Sequence, residues 1–301
     1  MIQWTSYDVR AMKPQSNIAW LLMLPAALVM IFVAVMPMVT VFNYSFNDIF
    51  TLDDVFWVGT EWYETIVSSP RFWASLGRSA LFSSLVLMIQ LPLGIGIALM
   101  LRRARPRTAN LMLMCLAIPL VVPTNMVAGL WLALLRPEGL GGQALTLFNL
   151  TLDYKFTAAH TWALILVVDT WHWLGLVVIL AYAGLSSISP AYYQAAAIDS
   201  ASPLAVFRWI ELPKISGALW IVLLLRLVDS FMIYTEVMTI NAGGPRDATT
   251  FLSLQLGEEI KGFSYGSAAA RAMVNFLFVL TLVWVFVKLR QSKDSAGSNI
   301  T

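Results

Sequence analysis

The 301-residue chain is 59% hydrophobic and only 12% charged, and its mean hydropathy is +0.74. Soluble domains have about 45–50% apolar and about 25% charged residues, so this composition excludes an ordinary soluble globule and predicts a multi-spanning membrane protein. The net charge of +2 does not indicate nucleic-acid binding, and the single cysteine, Cys115, excludes a disulfide framework and a cysteine metal site.

Six apolar runs are long enough for transmembrane helices, which need about 20 mostly apolar residues. Prolines inside several runs are tolerated because neighbouring helices can satisfy the freed carbonyl groups. The first run is too long for the core of a signal peptide, and no small-residue cleavage site follows it, so we expect a retained span. We predict an all-α membrane protein with six transmembrane helices at residues 17–41, 79–101, 110–135, 159–185, 217–240 and 267–289.

The loops between these spans differ in charge, and the difference predicts their orientation. Arginine and lysine accumulate before the first span, between the second and third, and after the sixth, whereas the loop between the first and second is mainly acidic. Basic loops lie on the cytoplasmic side, so both termini are predicted to be inside. The predicted organisation is a cytoplasmic segment 1–16, a six-span domain 17–289 with a cytoplasmic loop at 186–216, and a disordered cytoplasmic tail 290–301. In the acidic external loop, an aromatic cluster is expected at the membrane interface: Trp57, Trp62, Tyr63 and Trp73.

Ionisable residues lie inside the fourth and fifth predicted spans, where each costs at least about 2.5–3.5 kcal/mol on insertion scales. Asp169 and His172 are three residues apart on one helix face, and so are Arg226 and Asp229. In one interpretation such residues line a solute path and hydrogen-bond hydroxyl groups. In the other, Arg226 pairs with Asp229 or Asp169 and holds two helices together. The candidate path residues are Asn125, Asp169, His172, Trp173, Asp229, Tyr234, Glu236 and Asn275, and the candidate structural pair is Arg226 and Asp229.

Between these two spans lies a polar, alanine-rich segment. Ser189–Pro190 and Ser202–Pro203 are both helix-start signals, with serine as the cap and proline in the first turn. They predict two short helices separated by a turn, with Pro213 ending or bending the second helix before the fifth span. From the residues alone, the segment is either an amphipathic connector on the membrane surface or a docking site for another protein.

The sequence QAAAIDSASPLAVFRWIELP in this segment resembles the cytoplasmic EAA loop of ABC-importer permease subunits, which follows the pattern E-A-A-x-x-D-G-A and then I-x-L-P. In that family the loop is a coupling helix that docks on the ATPase subunit. Two positions depart from the pattern, because Gln194 replaces the family's glutamate and Ser200 replaces its glycine. Without glycine's freedom at positive φ, Ser200 has to make the turn as an ordinary residue. The candidate ATPase-coupling residues are Gln194, Ala195, Ala196, Asp199, Ser200, Ala201, Ile210, Leu212 and Pro213.

A second stretch, NAGGPRDATTFLSLQ, follows the fifth span and is similar to the T-x-GGP-x-x-x-T segment of carbohydrate-uptake permeases. Gly243, Gly244, Pro245 and either Thr249 or Thr250 match that segment. In the family, this external loop lies near the docked solute-binding protein. The two motifs together imply a type I ABC-importer-like fold of the maltose, trehalose and glycerol-phosphate branch.

The resemblance implies the permease subunit of an importer in the cytoplasmic (inner) membrane of a prokaryote, forming half of the path for a sugar or polyol. Its implied partners are a second, unlike permease, two cytoplasmic ATPase subunits and an extracytoplasmic solute-binding protein.

The chain itself has no phosphate-binding loop and none of the common hydrolase or zinc-protease motifs, so we expect no catalysis, no metal and no bound cofactor. ATP and Mg would be used by the partner ATPase. The alternative is an ion-gradient-driven secondary transporter or channel subunit, with Asp169, Asp229 and Glu236 as proton or cation sites.

Overall fold

The computed structural model describes residues 18–49 and 54–298, with side chains at 21–49 and 54–291. The predicted segment 1–16, the start of the first predicted span and residues 299–301 lie outside the described residues. So do Arg10 and Lys13, on which part of the predicted orientation rests.

The first predicted span is one helical path in three parts: α1 (Ile18–Met30), a π-helical turn (Ile31–Val35) and α2 (Met36–Tyr44). Its described side chains from Leu21 to Thr40 are all exposed and almost all apolar. Within the described residues, the end of this span in α2 contacts the last helix (Tyr265–Ser298), whereas its exposed apolar side chains suit a lipid or subunit environment.

The centre of the bundle is the pair α4 (Pro70–Arg103) and α8 (Ala158–Ser186). The two helices approach closely at Gly94, where a Cβ atom would meet the side chain of Val177 at 2.8 Å or less. With 34 residues, α4 is about 51 Å long, which exceeds the roughly 30 Å hydrocarbon core of a bilayer. Its two ends define the two ends of the bundle. The end at Pro70 is called here the hairpin end, after the two strands at 47–57, and the end at Arg103 is called the α9 end, after the helix α9 (Pro190–Ile198).

The third predicted span, 110–135, is a bent pair rather than one straight helix. It is covered by α5 (Pro106–Val121) and α6 (Thr124–Leu135), which meet at an angle of 103°. The cause is Pro123, which lacks an N–H group and drives the preceding residue out of the helical region. Val122 accordingly has the extended angles φ −69° and ψ 126°.

The polar segment contains α9 (Pro190–Ile198) and α10 (Pro203–Val206), as the serine–proline signals predict. Of the two outcomes predicted at Pro213, ending or bending the second helix, the helix does not end there. The helix continues through a π-helical turn (Phe207–Glu211) into α11 (Leu212–Phe231), and α12 (Thr235–Asn241) follows after a 42° bend.

A common cause explains the two π-helical turns. Each ends two residues before a proline, Pro37 in the first case and Pro213 in the second. A proline cannot donate to the carbonyl four residues back, and its ring crowds that carbonyl. The wider turn, in which Leu212 N bonds to Phe207 O, lets the helix pass the proline without breaking.

Short elements cover the hairpin end. Strands β1 (Asn47–Ile49) and β2 (Val55–Trp57) form an antiparallel hairpin, followed by α3 (Glu61–Ser68). The sequence analysis did not predict this hairpin. Trp62 donates to the Asn47 carbonyl (3.1 Å) and Tyr63 to Ser45 Oγ (2.6 Å), and both half-buried rings pack against an apolar cluster. Only Trp57 and Trp73 of the expected interfacial cluster are exposed.

The remaining helices are α7 (Leu140–Leu147), α13 (Leu252–Lys261) and α14 (Tyr265–Ser298). The last helix runs through residues 290–298, which the sequence analysis expected to be disordered. Within the described part of the chain, four helical stretches are long and apolar enough to cross a bilayer, and the two bent pairs raise this number to six if each is one span. All six predicted apolar runs therefore lie on helices.

Candidate functional site

A buried polar cluster joins the three central helices near their middle. Arg226 of α11 is 1% exposed, and its Nη2 donates to Asp169 Oδ2 of α8 at 2.6 Å. Its Nε donates to Gln90 Oε1 of α4 at 2.9 Å, and Gln90 Nε2 donates to the same Asp169 oxygen at 2.8 Å. Each of the three side chains thus contacts the other two, which satisfies a charge pair that could not stand alone in an apolar interior.

A second carboxylate, Asp229, pairs with Arg226 from one turn further along α11. Its side chain is 47% exposed, so it extends from the buried cluster towards open space. Trp173 lies on the same side, with the Arg226 guanidinium carbon 4.9 Å from the ring centroid. This cation–π contact fixes the indole beside the ion pairs.

Two adjoining cavities open beside the cluster. The smaller, of about 140 Å³, is mainly polar and is lined by Thr124, Asp169, Trp173, Asp229, Met232, Ile233, Tyr234, Thr235 and Glu236. The larger, of about 560 Å³, is mainly apolar and shares Trp173, Asp229 and Met232 with the smaller one. Glu236 is 7% exposed, and within the described residues its carboxylate accepts a hydrogen bond from its own backbone amide but has no ion pair and no hydrogen bond to another side chain. A buried polar group without a side-chain partner at the edge of a cavity is suited to a polar ligand.

Five of the eight predicted path residues line the small cavity together: Asp169, Trp173, Asp229, Tyr234 and Glu236. They come from α8, α11 and the start of α12, and the bend between α11 and α12 brings them to one place. The candidate structural pair of Arg226 and Asp229 is also in contact, and the same arginine holds Asp169.

Three predicted path residues do not line this cavity. Asn125 is exposed, and its neighbour Thr124 faces the cavity instead. His172 is buried edge-on against Trp173, and its Nδ1 has no partner. Asn275 is buried on α14, with neither side-chain amide atom hydrogen-bonded.

Sequence reasoning missed Gln90, although a signal for it exists. Gln90 is a polar residue in the middle of an otherwise apolar run, which is the same signal that singled out Asp169. Within the described residues, no group of three or more histidine, cysteine or acidic side chains could hold a metal ion.

At the α9 end, the candidate coupling residues form a largely exposed surface. Ser189 and Ser202 cap their helices, accepting hydrogen bonds from Ala191 N (3.4 Å) and Ala205 N (3.3 Å). Ser200 has φ +51°, in the left-handed region, and so occupies the conformation that the family's glycine would favour.

The candidate coupling residues differ in their solvent exposure. Gln194, Ala195, Asp199, Ser200, Ala201 and Pro213 are exposed, and Ile210 and Leu212 are half-buried. Ala196 is buried against its own chain, so it is not available to a docked partner in this conformation.

The GGP loop at the hairpin end is firmly held. Thr249 Oγ1 donates to the Gly244 carbonyl (2.8 Å), and Arg78 Nε donates to the Thr250 carbonyl (2.9 Å). Thr249 and Thr250 are both buried. The hydrogen bond from Thr250, helped by Arg71, lowers the pKa of Asp247 below its usual value. The loop therefore presents an ionised, exposed aspartate on a fixed backbone.

A profile of the family described as "binding-protein-dependent transport system inner membrane component" matches residues 90–292. A trehalose/maltose transport system permease protein, MalF, of Thermococcus litoralis is 27% identical over 278 residues, which cover 91% of this chain and 94% of that protein. The sn-glycerol-3-phosphate transport system permease protein UgpA of Shigella flexneri is 30% identical over 179 residues, covering 58% of this chain and 61% of that protein.

The fold is similar to that of a solved bacterial ABC transporter involved in the import of the acidic polysaccharide alginate. The TM-score is 0.78 at 20% sequence identity, with 91% of this chain and 95% of the matched chain covered. The same kind of transporter in complex with an alginate pentasaccharide-bound periplasmic protein gives a TM-score of 0.75 at 21% identity, covering 89% of this chain and 92% of the matched chain.

Proposed function

The chain belongs to the family of binding-protein-dependent transport system inner membrane components, and from this premise we propose that it forms half of the path for a neutral sugar or polyol in an ABC importer. The likeness to the alginate importer confirms the predicted type I ABC-importer-like fold. The observation that carries the proposal is the cavity beside the Arg226 cluster, where side chains from separate helices converge.

The charge of this cavity favours a neutral solute. Asp169, Asp229 and Glu236 line it, and among the described residues Arg226 is the one cation paired with them, so carboxylates outnumber cations there. Carboxylate oxygens accept hydrogen bonds from hydroxyl groups, whereas they repel phosphate and carboxylate groups on a solute. Trp173 adds an aromatic face against which the apolar side of a sugar ring can pack.

Among the relatives, MalF is named for trehalose and maltose, and UgpA for sn-glycerol 3-phosphate, which is an anion. The excess of carboxylates favours the first kind of solute for this chain. The small cavity of about 140 Å³ is close in size to one polyol or one sugar ring, and the adjoining cavity of about 560 Å³ could take a second ring.

The family membership makes this chain a multi-pass membrane protein, and we propose the cytoplasmic (inner) membrane as its location. The α9 end and both termini would be cytoplasmic. Two ATPase subunits would dock on the exposed face of 189–213 and would supply ATP hydrolysis with Mg. A second permease would complete the path, and a solute-binding protein would dock at the hairpin end, as the related complex with a periplasmic protein suggests.

A gradient-driven carrier is not favoured. Of its three candidate proton or cation sites, Asp169 and Asp229 are ion-paired with Arg226 and only Glu236 has no ion pair within the described residues, and the matched family is one of binding-protein-dependent systems. The relatives are transport permeases of binding-protein-dependent systems, which do not act as enzymes, and we expect no catalysis by this chain.

The test is ATP-dependent uptake by proteoliposomes that contain the purified complex and its binding protein. We expect uptake of at least one of maltose, trehalose and glycerol, and none of sn-glycerol 3-phosphate. The variant Asp229→Asn should reduce uptake by about tenfold, since it removes one charge-assisted hydrogen bond to the solute. The control Asn125→Ala, outside the cavity lining, should leave uptake unchanged. Uptake confined to the phosphate ester, or equal effects of the two variants, would refute the assigned site.

A further inference from the structure

An arginine at the α9 end of α4 connects three elements of the chain. Arg102 Nη1 donates to the Tyr193 hydroxyl on α9 at 2.6 Å and forms an ion pair with Glu211. Its guanidinium carbon also lies 4.1 Å from the centroid of the Tyr193 ring. These three residues are called here the Arg102 joint.

The Arg102 joint is partly buried rather than exposed on the protein surface. Glu211 is 3% exposed, and the Arg102 side chain is 27% exposed. Tyr193 packs against the apolar cluster that includes Leu101 of α4 and Ile215 of α11. Partial burial raises the pKa of the Tyr193 hydroxyl, so this group stays neutral and can serve as a hydrogen-bonding group between Arg102 and Glu211.

The neighbouring tyrosine provides a contrast within the same helix. Tyr192 accepts a hydrogen bond from Lys214 of α11 at 2.9 Å, and the ammonium lies 4.4 Å from its ring centroid. The chemistry is the same as at Tyr193, but this pair is exposed to solvent. Exposed pairs contribute little because water screens them, whereas a partly buried pair holds its geometry.

The two helices that the joint connects, α4 and α11, also contact each other in the Arg226 cluster beside the solute cavity. On α4, Arg102 is 12 residues from Gln90, and Arg226 of α11 is 15 residues from Glu211, the last residue of the π-helical turn before α11. At 1.5 Å per residue these separations are about 18 and about 22 Å along continuous helix. Gln90 and Arg226 then hydrogen-bond to each other at 2.9 Å, beside the cavity. The helices α4 and α11 are thus connected at two points, by the Arg102 joint next to α9 and by the Gln90–Arg226 hydrogen bond beside the cavity.

We propose that the Arg102 joint holds α9 in fixed register with α4 and α11, so that a displacement of α9 by the ATPase moves both helices together at the cavity. This inference rests on the proposed function. In it, Arg102, Tyr193 and Glu211 are positioning residues that contact neither the solute nor ATP. Without the joint, α9 could shift while the cavity stays closed.

The experiment measures solute transported per ATP hydrolysed by the reconstituted complex. For Arg102→Met we expect uptake to fall at least about tenfold, the factor expected for losing one charge-assisted hydrogen bond, while the ATPase rate changes less than about twofold. Arg102→Lys keeps the cation, so its ratio of solute transported to ATP hydrolysed should lie between those of Arg102→Met and the unmodified complex. The control Lys214→Met, an exposed cation outside the docking segment 189–213, should leave the ratio unchanged.

A purely structural role predicts a different pattern. If uptake and ATP hydrolysis fall in proportion for Arg102→Met, the ratio is unchanged and the inference is wrong. Tyr193→Phe keeps the ring and removes only the hydroxyl, so it provides a second test if the arginine variant does not assemble. An unchanged ratio in Tyr193→Phe would then overturn the inference. If the unmodified complex contains no ATPase, the proposed function itself fails, and the inference fails with it.

Discussion

The strongest quantitative prediction concerns the contribution of the buried Arg226 cluster to the free energy of unfolding. In Arg226→Met, Asp169 stays buried at 2% exposure with only Gln90 as a partner. Breaking a buried ion pair from one side costs about 3–5 kcal/mol, because the remaining charge is left uncompensated. The matched variant Asp229→Asn removes the other carboxylate of the same arginine. Its side chain is 47% exposed, so the expected loss is about 1 kcal/mol or less.

A double variant separates the charge from other effects of the substitution. Arg226→Met combined with Asp169→Leu removes both charges and should recover about 2 kcal/mol of the loss, because apolar groups of similar volume replace buried ion pairs well. Recovery should be incomplete, since Gln90 then lacks both of its partners.

The measurement is equilibrium unfolding of the purified protein in mixed micelles, followed by tryptophan fluorescence. We expect the order of stability to be Asp229→Asn, then the double variant, then Arg226→Met. Equal losses for the two single variants, or no recovery in the double variant, would refute the assignment of Arg226 and Asp169 as a buried, mutually dependent pair.

Further variants test the local geometry of the fold. Ser200→Gly should stabilise the protein by about 0.5–1 kcal/mol, because glycine adopts the left-handed φ of +51° without strain; a lower thermal unfolding temperature would contradict this. Gly175→Ala places a Cβ against the Leu116 carbonyl and should lower the free energy of unfolding by about 1–3 kcal/mol. Gly96→Ala has open space around the new Cβ and should not lower it. Similar free energies of unfolding for the two variants would be inconsistent with the packing described. Thr249→Val removes a loop hydrogen bond and should speed proteolysis of the loop between α12 and α13 in vesicles, and an unchanged cleavage rate would show that this bond does not hold the loop.

The sequence was sufficient to predict the six apolar runs and the cavity residues on α8 and α11, because ionisable side chains in apolar helices are costly and rarely occur without a role. It also predicted both serine-capped helices, since a capping serine followed by proline is a local signal.

The features that were not predicted from the sequence depend on backbone geometry, which the composition does not determine. A proline can break a helix, as Pro123 does, or be bypassed by a π-helical turn, as Pro213 is. The residues alone do not decide between these outcomes, because the neighbouring helices determine which carbonyl groups can be satisfied. Similarly, burial of Ala196 follows from how α9 sits on the bundle, while its neighbour Ala195 is exposed. Ala195 is therefore the position at which a bulky side chain tests docking without disturbing the chain's own packing.

We propose that this permease couples to a separate ATPase through the segment 189–213. The most direct test of this coupling is mild-detergent purification of the tagged chain from its native membrane, with mass spectrometry of the proteins that accompany it, for the unmodified chain and for Ala195→Trp. We predict that an ATPase with a phosphate-binding loop and a second six-span permease accompany the unmodified chain, and that the tryptophan variant retains the permease and loses the ATPase. Recovery of the chain alone, still moving solute in liposomes without ATP, would contradict the account.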